Sequence, residues 1–177
     1  MASSLIVMML KSLLDTSISE HHPPKKILQI LQENLYGQIP RGYYVAFSYL
    51  LYEHKTNKLN FATAGLYGLI LLRKGENRLE IVEAKNFAIA FIGSDRFNQK
   101  SVTLGSGDRI ILYTDGLIEA VNANGEMYGH ERLFNFINQY QHLPSQELLN
   151  AIAEDSFRHA ANLTEQDDTT IMLIEVK

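Results

Sequence analysis

The chain of 177 residues contains no cysteine. That absence excludes disulfides, thiolate metal sites and a cysteine nucleophile, and it suits a protein of the reducing cytoplasm. An excess of positive charge is lacking too: 16 Lys and Arg stand against 20 Asp and Glu, for a net charge of −4. A chain this acidic has no overall electrostatic reason to bind nucleic acid or anionic lipid. A long hydrophobic run is also missing. The stretch Leu5-Ile6-Val7-Met8-Met9-Leu10 is closed by Lys11, far short of the ~18 residues that span a bilayer. It has neither the basic residues before it nor the small-residue cleavage site after it that mark a signal peptide. Repeats, linkers and low-complexity tracts are absent, so a single domain with no membrane span is expected.

What is present is an ordinary globular balance, 46% hydrophobic and 20% charged, with enough apolar surface for a core. Ser3 or Ser4 can cap a helix running to about residue 15. Its apolar residues nearly encircle it, so it should be buried or meet a partner. Pro24 is placed to open a second helix over residues 25–36, with Ile27, Leu28, Ile30, Leu31 and Leu35 as its apolar stripe. The aromatic-rich residues 43–52 predict a strand covered on both faces. A turn at 54–58 leads into a returning strand at 59–64, and further strands are expected at 67–73, 78–83, 101–104 and 109–114. Residues 105–108 (Gly-Ser-Gly-Asp) predict a hairpin turn that Asp108 and Arg109 help to fix. Two more helices are expected at 130–141 and 145–161, the latter capped by Ser145, and a last strand at 169–176. The order predicts an α+β domain of largely antiparallel sheet with helices packed outside.

Two segments could carry chemistry. The strand Ile110-Ile111-Leu112 delivers Asp115 at its end, beside Gly116, which lets the backbone turn sharply. Asp167 and Asp168 stand directly before the final strand. Carboxylates at strand ends suit Mg²⁺ or Mn²⁺, hard cations that keep several waters. Each segment is equally ordinary turn chemistry when taken alone. The six histidines show no H-x-x-x-H spacing, and His21-His22 beside Pro23-Pro24 reads as a loop. Glu119 is either surface charge on a helix or a group that orients metal ligands.

Four stretches in register change the weight of these readings. They are Leu-Asn-Phe-Ala-Thr-Ala-Gly at 59–65, the run from Gly107 to Ala120 containing Tyr113-Thr114-Asp115-Gly116, Asn-Ala-Asn-Gly-Glu-Met-Tyr-Gly at 122–129, and Gln-Asp-Asp-Thr-Thr at 166–170. From residue 43 to the end the chain thereby resembles the SpoIIE-type branch of the metal-dependent (PPM) protein serine/threonine phosphatases. The resemblance implies an α-β-β-α sandwich and a cytoplasmic bacterial hydrolase with a two-metal Mn²⁺ or Mg²⁺ centre. Asp115 and Asp167 match two catalytic metal carboxylates, and Asp168 is a further candidate ligand. The implied reaction is attack of activated water on phosphoserine or phosphothreonine of a regulatory protein, commonly an anti-anti-sigma factor.

The departures from the family pattern are as specific. The G-D-x-x-D and D-V-x-G-x-G segments that supply the remaining metal carboxylates are not found, and Leu66 stands where the family has a His. Residues 1–11 resemble the helix that follows the second of those segments. The chain is therefore expected to be a family domain entered part-way, without its first strands. This leaves a rival reading, an inactive pseudophosphatase acting as a binding or dimerisation module, with a homodimer through the first two helices.

Overall fold

A computed structural model describes residues 2–19, 21–76, 78–94, 96–160 and 167–177. Asn77, Ala161 and Gln166, which fall in a predicted turn, helix end and motif, lie outside the described residues. In chain order the elements are α1 (Ala2–Ser19), α2 (Pro24–Leu35), β1 (Phe47–Glu53), β2 (Lys58–Ala64), β3 (Leu69–Leu72), β4 (Leu79–Val82), β5 (Lys100–Thr103), β6 (Arg109–Tyr113), α3 (Asp115–Ile118), α4 (Gly129–Tyr140), α5 (Ser145–His159) and β7 (Ile171–Glu175). The strands form two antiparallel sheets, ordered β1-β2-β5 and β4-β3-β6-β7. They belong to two compact units, Met1–Leu66 with Glu83–Thr103 and Tyr67–Val82 with Leu104–Lys177. The expected α+β class with antiparallel sheet and packed helices is what the chain adopts.

In the first unit, α2 opens at Pro24 behind an extended Pro23. A proline there loses nothing, because the first-turn N–H groups have no helical partner. Ile27, Leu28, Leu31 and Leu35 form one buried stripe against Ala62 and Ala64 of β2 and Ile89, with Met9, Leu10, Leu13 and Leu14 of α1 packed on the rim. Gln32 is buried with that stripe and spends both ends of its amide on the backbone. Its Nε2 donates to the carbonyl of Ile92 at 2.6 Å and its Oε1 accepts from the N–H of Ala90 at 2.8 Å. Two expectations are corrected here. Helix α1 starts at Ala2 and runs on to Ser19, so Ser3 and Ser4 lie inside it and cap nothing. Strand β1 begins only at Phe47, is an edge strand, and is half-buried along its length, because edge strands lack a neighbour on one side. The outward side of α1 leaves Leu5, Val7 and Met8 61%, 62% and 71% exposed.

In the second unit, β3 is buried throughout and β6 nearly so. Helices α4 and α5 cover this sheet with Leu133, Ile137, Leu148 and Ile152, which join Ile111, Tyr113 and Leu117 in one core. The turn at 105–108 is not a hairpin: β5 pairs with β2, whereas β6 pairs with β3 and β7. It is fixed as expected by Asp108, whose buried carboxylate accepts from the N–H groups of Gly105 and Lys74 and from the Arg73 guanidinium at 2.8–3.0 Å. Burial pushes this carboxyl up, but those donors and the Arg73 charge outweigh it and hold it below the usual carboxylate range. Arg109 donates to the carbonyls of Gln141 and Leu143 just beyond α4. Ser145 does not cap α5, which starts behind Pro144 without a side-chain cap; its hydroxyl donates to Glu175 of β7 instead. Among the described residues no helix is long and apolar enough to cross a membrane.

Candidate active site

Strand β6 ends at Tyr113, and Thr114 is extended before the chain turns into α3. Asp115 thus heads a single helical turn rather than a plain loop. The ladder between β6 and β7 reaches one pair beyond the strand ends. The Thr114 N–H donates to the Thr170 carbonyl at 3.0 Å. In return, the Thr170 N–H donates to Thr114 Oγ1 at 2.9 Å, and that hydroxyl donates to the Asp168 carbonyl at 3.4 Å. This clasp joins two segments that lie more than 50 positions apart.

Gly116 is what lets the clasp close. A Cβ there would lie 2.6 Å from the Asp168 carbonyl oxygen and 3.2 Å from that of Asp167. The glycine is therefore required by close backbone approach, not by a left-handed turn, since its φ is not positive. Asp115, Asp167 and Asp168 are all exposed. Asp115 Oδ1 accepts from the N–H of Gly116 at 3.0 Å, and Asp167 Oδ1 from that of Asp168 at 2.9 Å.

The donors are of the right kind for Mg²⁺ or Mn²⁺: exposed carboxylates and backbone carbonyls, all hard oxygens that leave room for water ligands. Their number is the constraint. Among the described residues no three His, Cys, Asp or Glu side chains gather into a group that could hold a metal. The set fits a hydrated hard cation held by part of a site, and does not fit a closed cage.

An aromatic wall flanks α3, and sequence reasoning missed it. Tyr67 stacks on Tyr113 with ring centres 5.8 Å apart and meets His130 edge-on at 4.5 Å. The Tyr113 hydroxyl and His130 Nδ1 are hydrogen-bonded at 3.0 Å. Burial raises the Tyr67 phenol pKa, and the charges of Glu119 and Asp115 raise it further. Tyr67 thus keeps its proton beside the acidic turn. Exposed Glu119 acts here through its charge, and its N–H closes α3 on the Asp115 carbonyl at 2.9 Å. The only signal for Tyr67 was its place one residue past Leu66. Thr114 and Thr170 belong to the same two motifs as Asp115 and Asp167.

The segment at 122–129 is a small clamped hairpin. Asn122 Oδ1 accepts from the N–H groups of Asn124 and Glu126, and Gly125 takes a left-handed φ of 81°. Tyr128 then donates to Asp155 at 2.9 Å, and Arg132 grips the same carboxylate with two nitrogens at 3.0–3.1 Å. His159 Nδ1 accepts from Arg132 while its Nε2 reaches the Glu126 carbonyl, both at 2.9 Å. His21 and His22 stand in the connection between α1 and α2.

A family model described as Stage II sporulation protein E (SpoIIE) matches residues 1–177. Over 175 residues the chain is 22% identical to the phosphoserine phosphatase RsbU of Bacillus subtilis (strain 168), covering 99% of this chain and 52% of that protein. It therefore spans about half the length of this curated relative. The solved SiaA-PP2C domain of Pseudomonas aeruginosa superposes with a TM-score of 0.81 at 18% identity, over 98% of this chain and 70% of that one. The Mn-presoaked phosphatase domain of SpoIIE from Bacillus subtilis gives a TM-score of 0.64 at 19% identity, over 97% and 73% of the two chains. At these identities the structural likeness establishes a shared fold.

Proposed function

Because the chain belongs to the SpoIIE family, we propose that it carries part of a metal-dependent protein phosphatase centre, with Asp115 and Asp167 as metal carboxylates and Asp168 as a third oxygen source. The reaction is hydrolysis of phosphoserine or phosphothreonine on a bacterial regulatory protein of the cytoplasm, such as an anti-anti-sigma factor. The observation that supports this is the Thr114–Thr170 clasp, which sets two acidic strand ends against each other with Gly116 between them. Mn²⁺ or Mg²⁺ held there would supply Lewis-acid charge and a lowered water pKa. The chain's own share is positioning. Thr114 and Gly116 fix the backbone of the acidic segments, and protonated Tyr67 offers a hydrogen-bond donor on the same side.

A second reading is favoured by one observation, the lack of three gathered ligands among the described residues. On that reading the 177 residues alone bind a phosphoprotein or dimerise, through the exposed apolar side of α1, with little turnover. Calorimetric titration of Mn²⁺ and aryl-phosphate hydrolysis, run on the wild type and Asp115→Asn, separate the two. The expected result is weak binding, near millimolar, that Asp115→Asn removes. Equal Mn²⁺ binding by both proteins would sink the metal assignment. Robust turnover that depends on Asp115 would sink the inactive reading.

A further inference from the structure

The segment that carries Asp115 has no side-chain donor to spare. Asp115 and Glu119 are acceptors only once ionised, and neither 113–119 nor the acidic stretch 167–170 contains a lysine or arginine. The two hydroxyls of 113–119 are already spent. Thr114 Oγ1 accepts from the Thr170 N–H and donates to the Asp168 carbonyl, and the Tyr113 hydroxyl is bonded to His130 Nδ1. Tyr67 supplies what is lacking, because its hydroxyl has no hydrogen-bond partner among the described residues. Its ring lies nearly parallel to that of Tyr113, at 11°, and meets His130 edge-on. Both members of this frame are fixed in turn: Tyr113 is buried, and His130 packs on Phe134 at 5.6 Å. Tyr113 stands two residues before Asp115, so the frame sets Tyr67 beside the strand end that delivers the carboxylate. Tyr67 is 38% exposed. Burial, and then the charges of Glu119 and Asp115, keep its phenol protonated.

We propose that the Tyr67 hydroxyl donates a hydrogen bond to a phosphoryl oxygen of the phosphorylated substrate. The proposal rests on the metal-centre reading and adds what that reading leaves open, the chain's own contact with the phosphate. A phosphoserine carries about two negative charges and offers only acceptor oxygens. Among these carboxylates it needs a proton donor as well as a cation. A neutral phenol meets that need without competing with the cation for the carboxylates. The few torsions of the tyrosine are already set by the aromatic frame, so little freedom is lost on binding.

Calorimetric titration of O-phosphoserine into the whole chain at saturating Mg²⁺, on the wild type and Tyr67→Phe, tests the contact, with unphosphorylated serine as the control. Phenylalanine keeps the ring stack and removes only the hydroxyl. The variant should therefore melt with the wild type and bind Mg²⁺ equally, yet bind phosphoserine about tenfold more weakly. NMR of tyrosine labelled with carbon-13 at the hydroxyl-bearing ring carbon reads the contact directly. The signal missing from Tyr67→Phe should move when phosphoserine is added and stay still with serine. Equal phosphoserine binding by both proteins, or a Tyr67 signal that does not move, would overturn the proposal. So would a metal-loaded wild type that binds no phosphoserine. Failure of the metal-centre reading shows itself differently, as Mg²⁺ affinity that Asp115→Asn leaves unchanged, and it removes the premise of the proposal.

Discussion

Gly116→Ala is the sharpest probe of the clasp. The added methyl would sit 2.6 Å from the Asp168 carbonyl oxygen and 3.1 Å from its carbon. Ordinary contact begins near 3.4 Å, so the acidic segment must retreat by about 0.8 Å. The obstacle is backbone, which cannot rotate away as a side-chain tip would. Overpacking of this kind costs about 1–3 kcal/mol, and alanine regains up to about 1 kcal/mol over glycine in a helix. The net loss should be about 1–2 kcal/mol, which for a chain of this size lowers Tm by about 2–8 °C. The local consequence is larger than the global one. A shift near 1 Å between groups that must act together can cost about 100-fold in rate, and the same shift separates Asp115 from Asp167. Calorimetric Mn²⁺ titration and a thermal melt on one preparation read both effects. If the variant melts at or above wild type and binds Mn²⁺ equally, the close approach at Gly116 is not what holds the site.

Asp108→Asn should destabilise the chain by about 1–3 kcal/mol at neutral pH, because it replaces the charged acceptor shared by the Gly105 and Lys74 N–H groups and the Arg73 guanidinium with a neutral amide. The folded Asp108 pKa is depressed, so its stabilisation is complete above the unfolded value near 4 and fades as pH falls through the folded one. Urea unfolding at pH 7 and pH 3 should therefore show a gap between wild type and variant that narrows in acid; a constant gap would contradict the assignment. Gly65→Ala combines a left-handed φ of 68° with a Cβ 2.6 Å from that of Ala88, so a loss of about 3 kcal/mol is expected in a thermal melt.

Local periodicity is legible in the sequence and strand pairing is not, and the side-chain caps expected at Ser3 or Ser4 and at Ser145 do not form. Pro24 followed by the stripe Ile27, Leu28, Ile30, Leu31 and Leu35 announces α2 whatever lies around it, because a proline's fit to the first turn and helical periodicity act over a turn or two; Ile30 stays outside the buried core that the other four join. The hairpin reading of residues 105–108 failed because partner choice for β5 and β6 is decided by distant strands. The continuous apolar residues of β1 suggest cover on both faces, but sequence alone does not say which strand stands at an edge. The same division runs through the site. Residue type and motif are enough to propose Asp115, Asp167 and Asp168, and the structure adds that the segments carrying them meet at the Thr114–Thr170 clasp. The sharp turn credited to Gly116 proved to be a contact with a segment 51 to 52 positions away, and Tyr67 acquires its place only when β3 and β6 pair.

The family motif at 122–129 supplies structure rather than ligands, and that structure holds Asp115 in place. Helix α3 is one turn long, too short to be stable by itself. Its geometry must come from outside. The Thr114–Thr170 ladder fixes the entry to α3. The Ser156 hydroxyl of α5 donates to the Leu117 carbonyl at 3.0 Å, tying the middle of the turn to the core. Past its end, the Tyr128 N–H donates to the Ala120 carbonyl at 2.8 Å, and Tyr128 is itself anchored to Asp155. Burial would push the Asp155 carboxyl up, but Arg132, Tyr128 and Arg158 hold it below the usual range, so this anchor is ionised at neutral pH. Burial and the neighbouring carboxylate push the Tyr128 phenol up, so it remains the donor. A carboxylate on an exposed single turn would otherwise wander by more than a metal site tolerates. Here β7, α5 and the clamped hairpin each hold a different backbone group of that turn, and the precision of Asp115 follows from their agreement.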